Sequence, residues 1–231
     1  MEIQGATNRF KAFDQTLDDP SEETTSLSFK LQFVDFVSQM AILRAVGSTV
    51  QVTVTDSTEG LVYDQTFSLI DDSEVIDAWT YSFNGFTQSD TLLIEDLPPY
   101  SNAEIEITIV SDVTASVGQI VVGRGDALAI TLINSSSGIE DYSVKERDSF
   151  NRAIVKELPY SDTVDFVLKI NQLRVGYVKR LLAKRRAKPT LYYMSGGAPY
   201  GLVAYGFYPG LNFTHSAPPM AEYTMEIEGL G

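Results

Sequence analysis

Apolar and polar residues alternate through most of the first half of the chain. Leu27, Phe29, Leu31 and Phe33 fall on one side of a strand over 27–33, and Val50, Val52 and Val54 do the same over 50–55. This is the period-two pattern of half-buried strands. Further strands are expected at 62–69, 79–83, 91–95 and 104–110, with a closing strand at 119–122. Turn residues punctuate them: Ser57-Thr58-Glu59-Gly60, Asp71-Asp72-Ser73, Asn84-Gly85 and the stretch 97–102 around Pro98-Pro99. Short antiparallel strands so spaced, with no window of helical periodicity, predict a β-sandwich of jelly-roll type over residues 1–125.

The second half changes period. Leu173, Tyr177, Val178, Leu181 and Leu182 recur at helical spacing, Asn171 stands where an N-cap belongs and Pro189 closes the run, which predicts a helix over 172–187 with those residues buried. Gly176 inside it costs about 1 kcal/mol relative to Ala. Strands are expected at 153–157, 163–170, 190–194, 201–208 and 223–228, so residues 126–231 read as an antiparallel sheet with one helix packed across it. The glycines at 123 and 125 mark the boundary between modules. The polar stretch 134–152 reads as an exposed hairpin, or an arm ordered by a neighbouring subunit.

Charge divides the two halves. Residues 1–127 hold twenty-one acidic against five basic side chains and residues 128–231 ten against twelve. Half the basic residues of the second part lie in one run, Lys179, Arg180, Lys184, Arg185, Arg186 and Lys188, on the face of the predicted helix opposite the leucines. An acidic module joined to one with a basic stripe suggests docking onto copies or neighbours, and this run is the candidate subunit contact. The net charge of −14 argues against general binding to nucleic acid or to an anionic membrane. No apolar stretch approaches the length of a bilayer span and no signal peptide is evident, so membrane insertion is not expected. The chain has no cysteine, which removes disulfides and thiolate chemistry.

Candidate chemistry is sparse. A single histidine, His215, precedes Pro218-Pro219 in what reads as a loop and supports neither a multi-His metal site nor a triad, so no metal, cofactor or catalytic group is expected. Glu104 and Glu106 share a strand face at a spacing of about 7 Å, which a glycosidase could use. An ordinary strand with isoleucines inward and glutamates in water has the same string, and Glu226 and Glu228 repeat it. Trp79, Tyr81 and Phe86 are candidates for a carbohydrate-stacking platform. Against this, Trp79, Tyr81 and Phe83 alternate, which favours one core face of a strand. Arg124-Gly125-Asp126 and the glycosylation-type triplets at Asn134 and Asn212 are short enough to arise by chance.

Several segments carry a resemblance. Phe10 with Phe13-Asp14, the strand 50–56, Leu97-Pro98-Pro99-Tyr100-Ser101, the segment 118–124, Asp141-Tyr142-Ser143-Val144-Lys145-Glu146-Arg147-Asp148-Ser149-Phe150, Leu202-Val203-Ala204-Tyr205-Gly206-Phe207-Tyr208 and Glu226-Ile227-Glu228-Gly229-Leu230 together resemble tailed-bacteriophage virion proteins. The resemblance implies a structural, non-enzymatic subunit of the tail tip, baseplate or collar, made in the host cytoplasm. It would form a homo-oligomer beside other virion tail proteins, with a host surface glycan as a further partner. It also implies a jelly-roll module joined to a tail-tube-like module, here in the reverse of the order usual in distal tail proteins.

Overall fold

A computed structural model describes residues 2–4, 10–14, 16–71, 75–83, 87–147, 150–197, 200–217 and 219–230, with residues 2–4 and 215–217 described by backbone only. The chain divides into two compact units, Met1–Gly125 and Asp126–Gly231. Both are built mainly of antiparallel strands.

Among the described residues the first unit contains ten strands: β1 (Glu2–Gln4), β2 (Ser21–Gln32), β3 (Gln39–Leu43), β4 (Thr49–Asp56), β5 (Gly60–Ser68), β6 (Ile70–Asp71), β7 (Thr87–Gln88), β8 (Leu92–Ile94), β9 (Glu104–Val117) and β10 (Gln119–Gly123). Sheet order is β1-β2-β9-β4-β5 in one layer and β10-β3-β8 in the other, with β6 and β7 paired apart from both. The pairs are nested, β2 with β9, β3 with β8 and β4 with β5, so the chain winds as one long hairpin rolled on itself. The alternation seen in sequence builds the inner face as three cross-strand rows: Leu27-Ile109-Val50, Phe29-Ile107-Val52 and Leu31-Ile105-Val54. All nine side chains are buried, together with Met40, Ile42, Ile94 and Ile120 of the other layer. Burial of this kind, about 25 cal/mol per Å² of apolar surface, is the main favourable contribution to a β-sandwich. Strand β3 was not expected, because Met40, Ala41, Ile42 and Leu43 are all buried and a strand covered on both faces has no alternation to read.

The second unit contains β11 (Ile130–Thr131), β12 (Ser136–Asp141), β13 (Val144–Arg147), β14 (Ala153–Lys156), β15 (Tyr160–Asn171), β16 (Thr190–Tyr193), β17 (Val203–Phe207), β18 (Asn212–Ala217) and β19 (Met220–Gly229). Its seven-stranded sheet runs β11-β15-β19-β17-β16, with β12 beside β15 and β18 beside β19. The β15–β19 ladder sets Val164 against Ile227, Phe166 against Met225, Leu168 against Tyr223 and Ile170 against Ala221, all buried. The helix Gln172–Arg185 packs Val178 and Leu182 into this core. Gly206 and Gly229 face each other across β17 and β19, where a Cβ on the first would collide with the Glu228 carbonyl and on the second with the Asp162 carbonyl. Only glycine permits that approach of two backbones.

Three expectations are corrected here. Residues 79–83 form no strand, since Ala78–Phe83 is a short helix (α1) with no buried residue. The predicted helix 172–187, now α2, ends at Arg185, and Leu173 and Tyr177 lie on its exposed side. The stripe the sheet covers runs through Val175, Val178 and Leu182 at i, i+3 and i+7, and Leu173 and Tyr177 point well away from it. Lastly, His215 falls within a strand, β18, where a loop was expected.

Candidate functional site

Helix α1 belongs to an excursion between β5 and β8. Its root is fixed by buried Leu69 and by the β6–β7 pair, in which Ile70 faces Gln88 and Asp71 faces Thr87. Its start is fixed by Asp77 and Thr80. The Thr80 N–H donates to Asp77 Oδ1 at 2.8 Å, while the backbone N–H groups of Ile76 and Asp77 donate to Thr80 Oγ1 at 3.1 and 3.0 Å. This reciprocal capping favours a helix over a strand. The same hydrogen bonds, that from the Thr80 backbone first, hold the Asp77 carboxyl below its ordinary range.

Helical winding decides what the aromatics do. In a strand Trp79, Tyr81 and Phe83 would share a face; on a helix Trp79 and Phe83 meet at i, i+4 and Tyr81 points elsewhere. The Trp79 and Phe83 rings lie 4.2 Å apart between centroids, tilted by 35°. Trp79 and Phe83 are each 68% exposed, Tyr81 63% and Ile76 83%, so the core reading of this alternation is overturned. The platform residue Phe86 lies outside the described residues.

The basic run lies on and just beyond α2. Asn171 caps the helix, accepting the Leu173 N–H on Oδ1 at 2.9 Å, and the Tyr208 hydroxyl donates to the Leu182 carbonyl at 2.6 Å near the other end. Arg185 turns toward the chain entering the unit and pairs with Asp126 at 3.0 Å; Arg174 donates to the Ala127 carbonyl, also at 3.0 Å. Lys179, Arg180, Lys184, Arg186 and Lys188 are exposed. Thus the six residues expected to act together separate into five outward cations and one that ties down residue 126. Arg180 and Lys184 share their outward face with Leu173 and Tyr177, which sequence reasoning had placed in the core.

The sheet face away from α2 is acidic. Asp165 stands opposite Glu226 and Thr163 opposite Glu228, while Lys169 pairs with Glu222 at 3.8 Å. Like charges directly opposite on a ladder are unfavourable, so the Asp165–Glu226 pair costs stability while Lys169–Glu222 offsets part of it.

Glu104 and Glu106 do lie on one face of β9, with Lys30 of β2 between them, 3.8 Å from the first and 3.4 Å from the second. The lysine makes them a solvent-facing ion cluster on the sheet exterior. No group of His, Asp and Glu that could hold a metal ion occurs among the described residues.

The third exposed feature is the hairpin β13–β14. Tyr142 at its root shares a hydrogen bond of 2.9 Å with the buried Ser161 hydroxyl, and the Leu158 N–H donates to Ser143 Oγ at 3.1 Å. Beyond that root every residue of both strands is exposed, Ile154 and Val155 included. The polar composition of 134–152 pointed to such an arm, but its apolar positions were not read as a surface.

Comparison with models of protein families, with curated proteins and with solved structures gives no match to this chain.

Proposed function

We propose that this chain is a non-enzymatic structural subunit of a bacteriophage tail, in the tip, baseplate or an adjoining ring, that assembles with copies of itself. The observation that carries the reading is the β13–β14 hairpin. An isolated two-stranded hairpin is marginally stable in water, and this one presents Val144, Ile154 and Val155 to solvent from an anchored root. A neighbouring subunit would cover it. The rolled antiparallel pairing of the first unit and the antiparallel sheet with α2 in the second support the reading as the jelly-roll and tail-tube-like modules that the resemblance implies.

The test is the oligomeric state of the purified chain by light scattering, together with antibody detection on purified virions. Ile154→Asp with Val155→Asp should reduce the oligomer to a folded monomer. A wild-type chain that stays monomeric at high concentration and is missing from virions would overturn the proposal.

The exposure of Trp79 and Tyr81 favours a second reading, a carbohydrate-binding module that touches host surface glycans. Glycan-array binding that disappears in Trp79→Ala, with the fold intact, is its expected result; no binding to host glycans would remove it.

A further inference from the structure

Two uncovered surfaces of this chain match each other in both apolar content and charge. The first is the tip of the α1 excursion, where Ile76, Trp79 and Phe83 are largely exposed. The described acidic residues of this excursion are Asp71, Asp77 and Asp90, and the sequence 70–90 has no basic residue. The second is the outward stripe of α2, where Leu173, Tyr177, Arg180 and Lys184 follow one another at i, i+4, i+7 and i+11. Leu173 is 93% exposed, so the chain's own fold leaves it bare. Gly176 lies beside it, and a Cβ added there would meet nothing nearer than Arg180 Nη1 at 3.7 Å. The Arg180 guanidinium thus lies over Gly176 beside Leu173, a cationic surface against which an incoming aromatic ring can pack.

We propose that α1 of one copy seats on the outward stripe of α2 in a second copy. Trp79 and Phe83 lie against Leu173 and Tyr177, and the carboxylate side of the excursion, Asp77 included, faces Arg180 and Lys184. The inference rests on the reading that copies of this chain assemble, and it names a second contact beside the one that covers the β13–β14 hairpin. Charge complementarity selects the partner: the first unit holds twenty acidic against five basic residues, and Arg180 and Lys184 take part in none of the ion pairs among the described residues. The acidic sheet face around Asp165 and Glu226 offers charge too, with Ile130 exposed opposite Lys169, but among the described residues it presents no exposed aromatic pair like Trp79 and Phe83. Because donor and acceptor surfaces differ, the contact is head to tail, and each copy carries one of each.

The absence of cysteine makes a clean test possible. In the full chain, Phe83→Cys combined with Tyr177→Cys, oxidised at assembling concentration, should give a ladder of cross-linked multimers on a non-reducing gel. Either single variant should stop at dimers. Trp79→Ala, at an exposed position, should weaken assembly about tenfold or more, as loss of a buried aromatic anchor does. Arg180→Glu should weaken it as well. A wild-type oligomer that gives no ladder, or only an intramolecular disulfide, and is indifferent to Trp79→Ala would overturn this contact and leave the assembly reading standing. A wild-type monomer would overturn both. Glycan binding lost in Trp79→Ala while assembly is unchanged would overturn the contact in favour of a carbohydrate site.

Discussion

Tyr192 and Tyr223 sit in the core of the second unit, 6% and 3% exposed, and burial pushes both hydroxyls up to about 12. Tyr192 packs edge-on against Tyr208, and Tyr223 stacks on Phe213 with centroids 4.5 Å apart. A tyrosine whose folded pKa lies above its unfolded value of 10.0 favours the folded state fully below that pH and loses the contribution as pH rises toward 12. The second unit is therefore expected to lose stability between about pH 10 and 12. Tyrosinate absorbance followed beside near-ultraviolet circular dichroism checks this: the buried tyrosines should ionise only as the tertiary signal is lost. Smooth ionisation of every tyrosine near pH 10 with the signal intact would contradict it. Other residues act locally enough to be read without the fold. Asp56 accepts the backbone N–H groups of Thr58 and Glu59 at 2.7 and 3.0 Å, the turn that Ser57-Thr58-Glu59-Gly60 announces.

At the scale of elements, α2 shows how far a pattern reaches. The cap at Asn171 and the stop before Pro189 are local chemistry, and the helix lies between them. Its buried face is another matter. Leu173, Tyr177 and Leu181 make one plausible apolar stripe and Val175, Val178 and Leu182 another, and the helix alone does not choose between them. The position of β15 and β19 beneath it chooses. Leu182→Ala should cost about 2–4 kcal/mol in denaturant unfolding, the range for cavities left in a core. Leu173→Ala should change stability by less than about 0.5 kcal/mol, as exposed substitutions do. Equal losses at the two positions would restore the original reading. For α1, Asp77 and Thr80 form a helix-start signal that the strand reading of 79–83 did not use, and six residues are too few to show a helical period.

At the scale of the molecule, each unit has its own core, one built from Leu27, Ile107 and Val52 and their neighbours, the other from Phe166, Met225 and Leu182 and theirs. Two such cores are expected to unfold as two transitions. Ile107→Ala should move one transition and Leu182→Ala the other, as read by calorimetry; a shift of both by either substitution would mean a single cooperative unit. The charges follow the same division. Residues 1–125 hold the acidic excess and the second unit is close to neutral; seven of its twelve cations lie on or just beyond α2, and Asp165, Glu222, Glu226 and Glu228 lie on the sheet face away from it.

Most of the antiparallel strands, the helix α2 with its cap and the charge division could be read in the sequence, because each follows from neighbours within a few residues. Tertiary structure alone decided which apolar residues are covered. Strand β3 is buried on both sides, Leu173 is bare, and Trp79 with Phe83 stands in solvent. Burial depends on what another part of the chain brings alongside, and no local pattern carries that information.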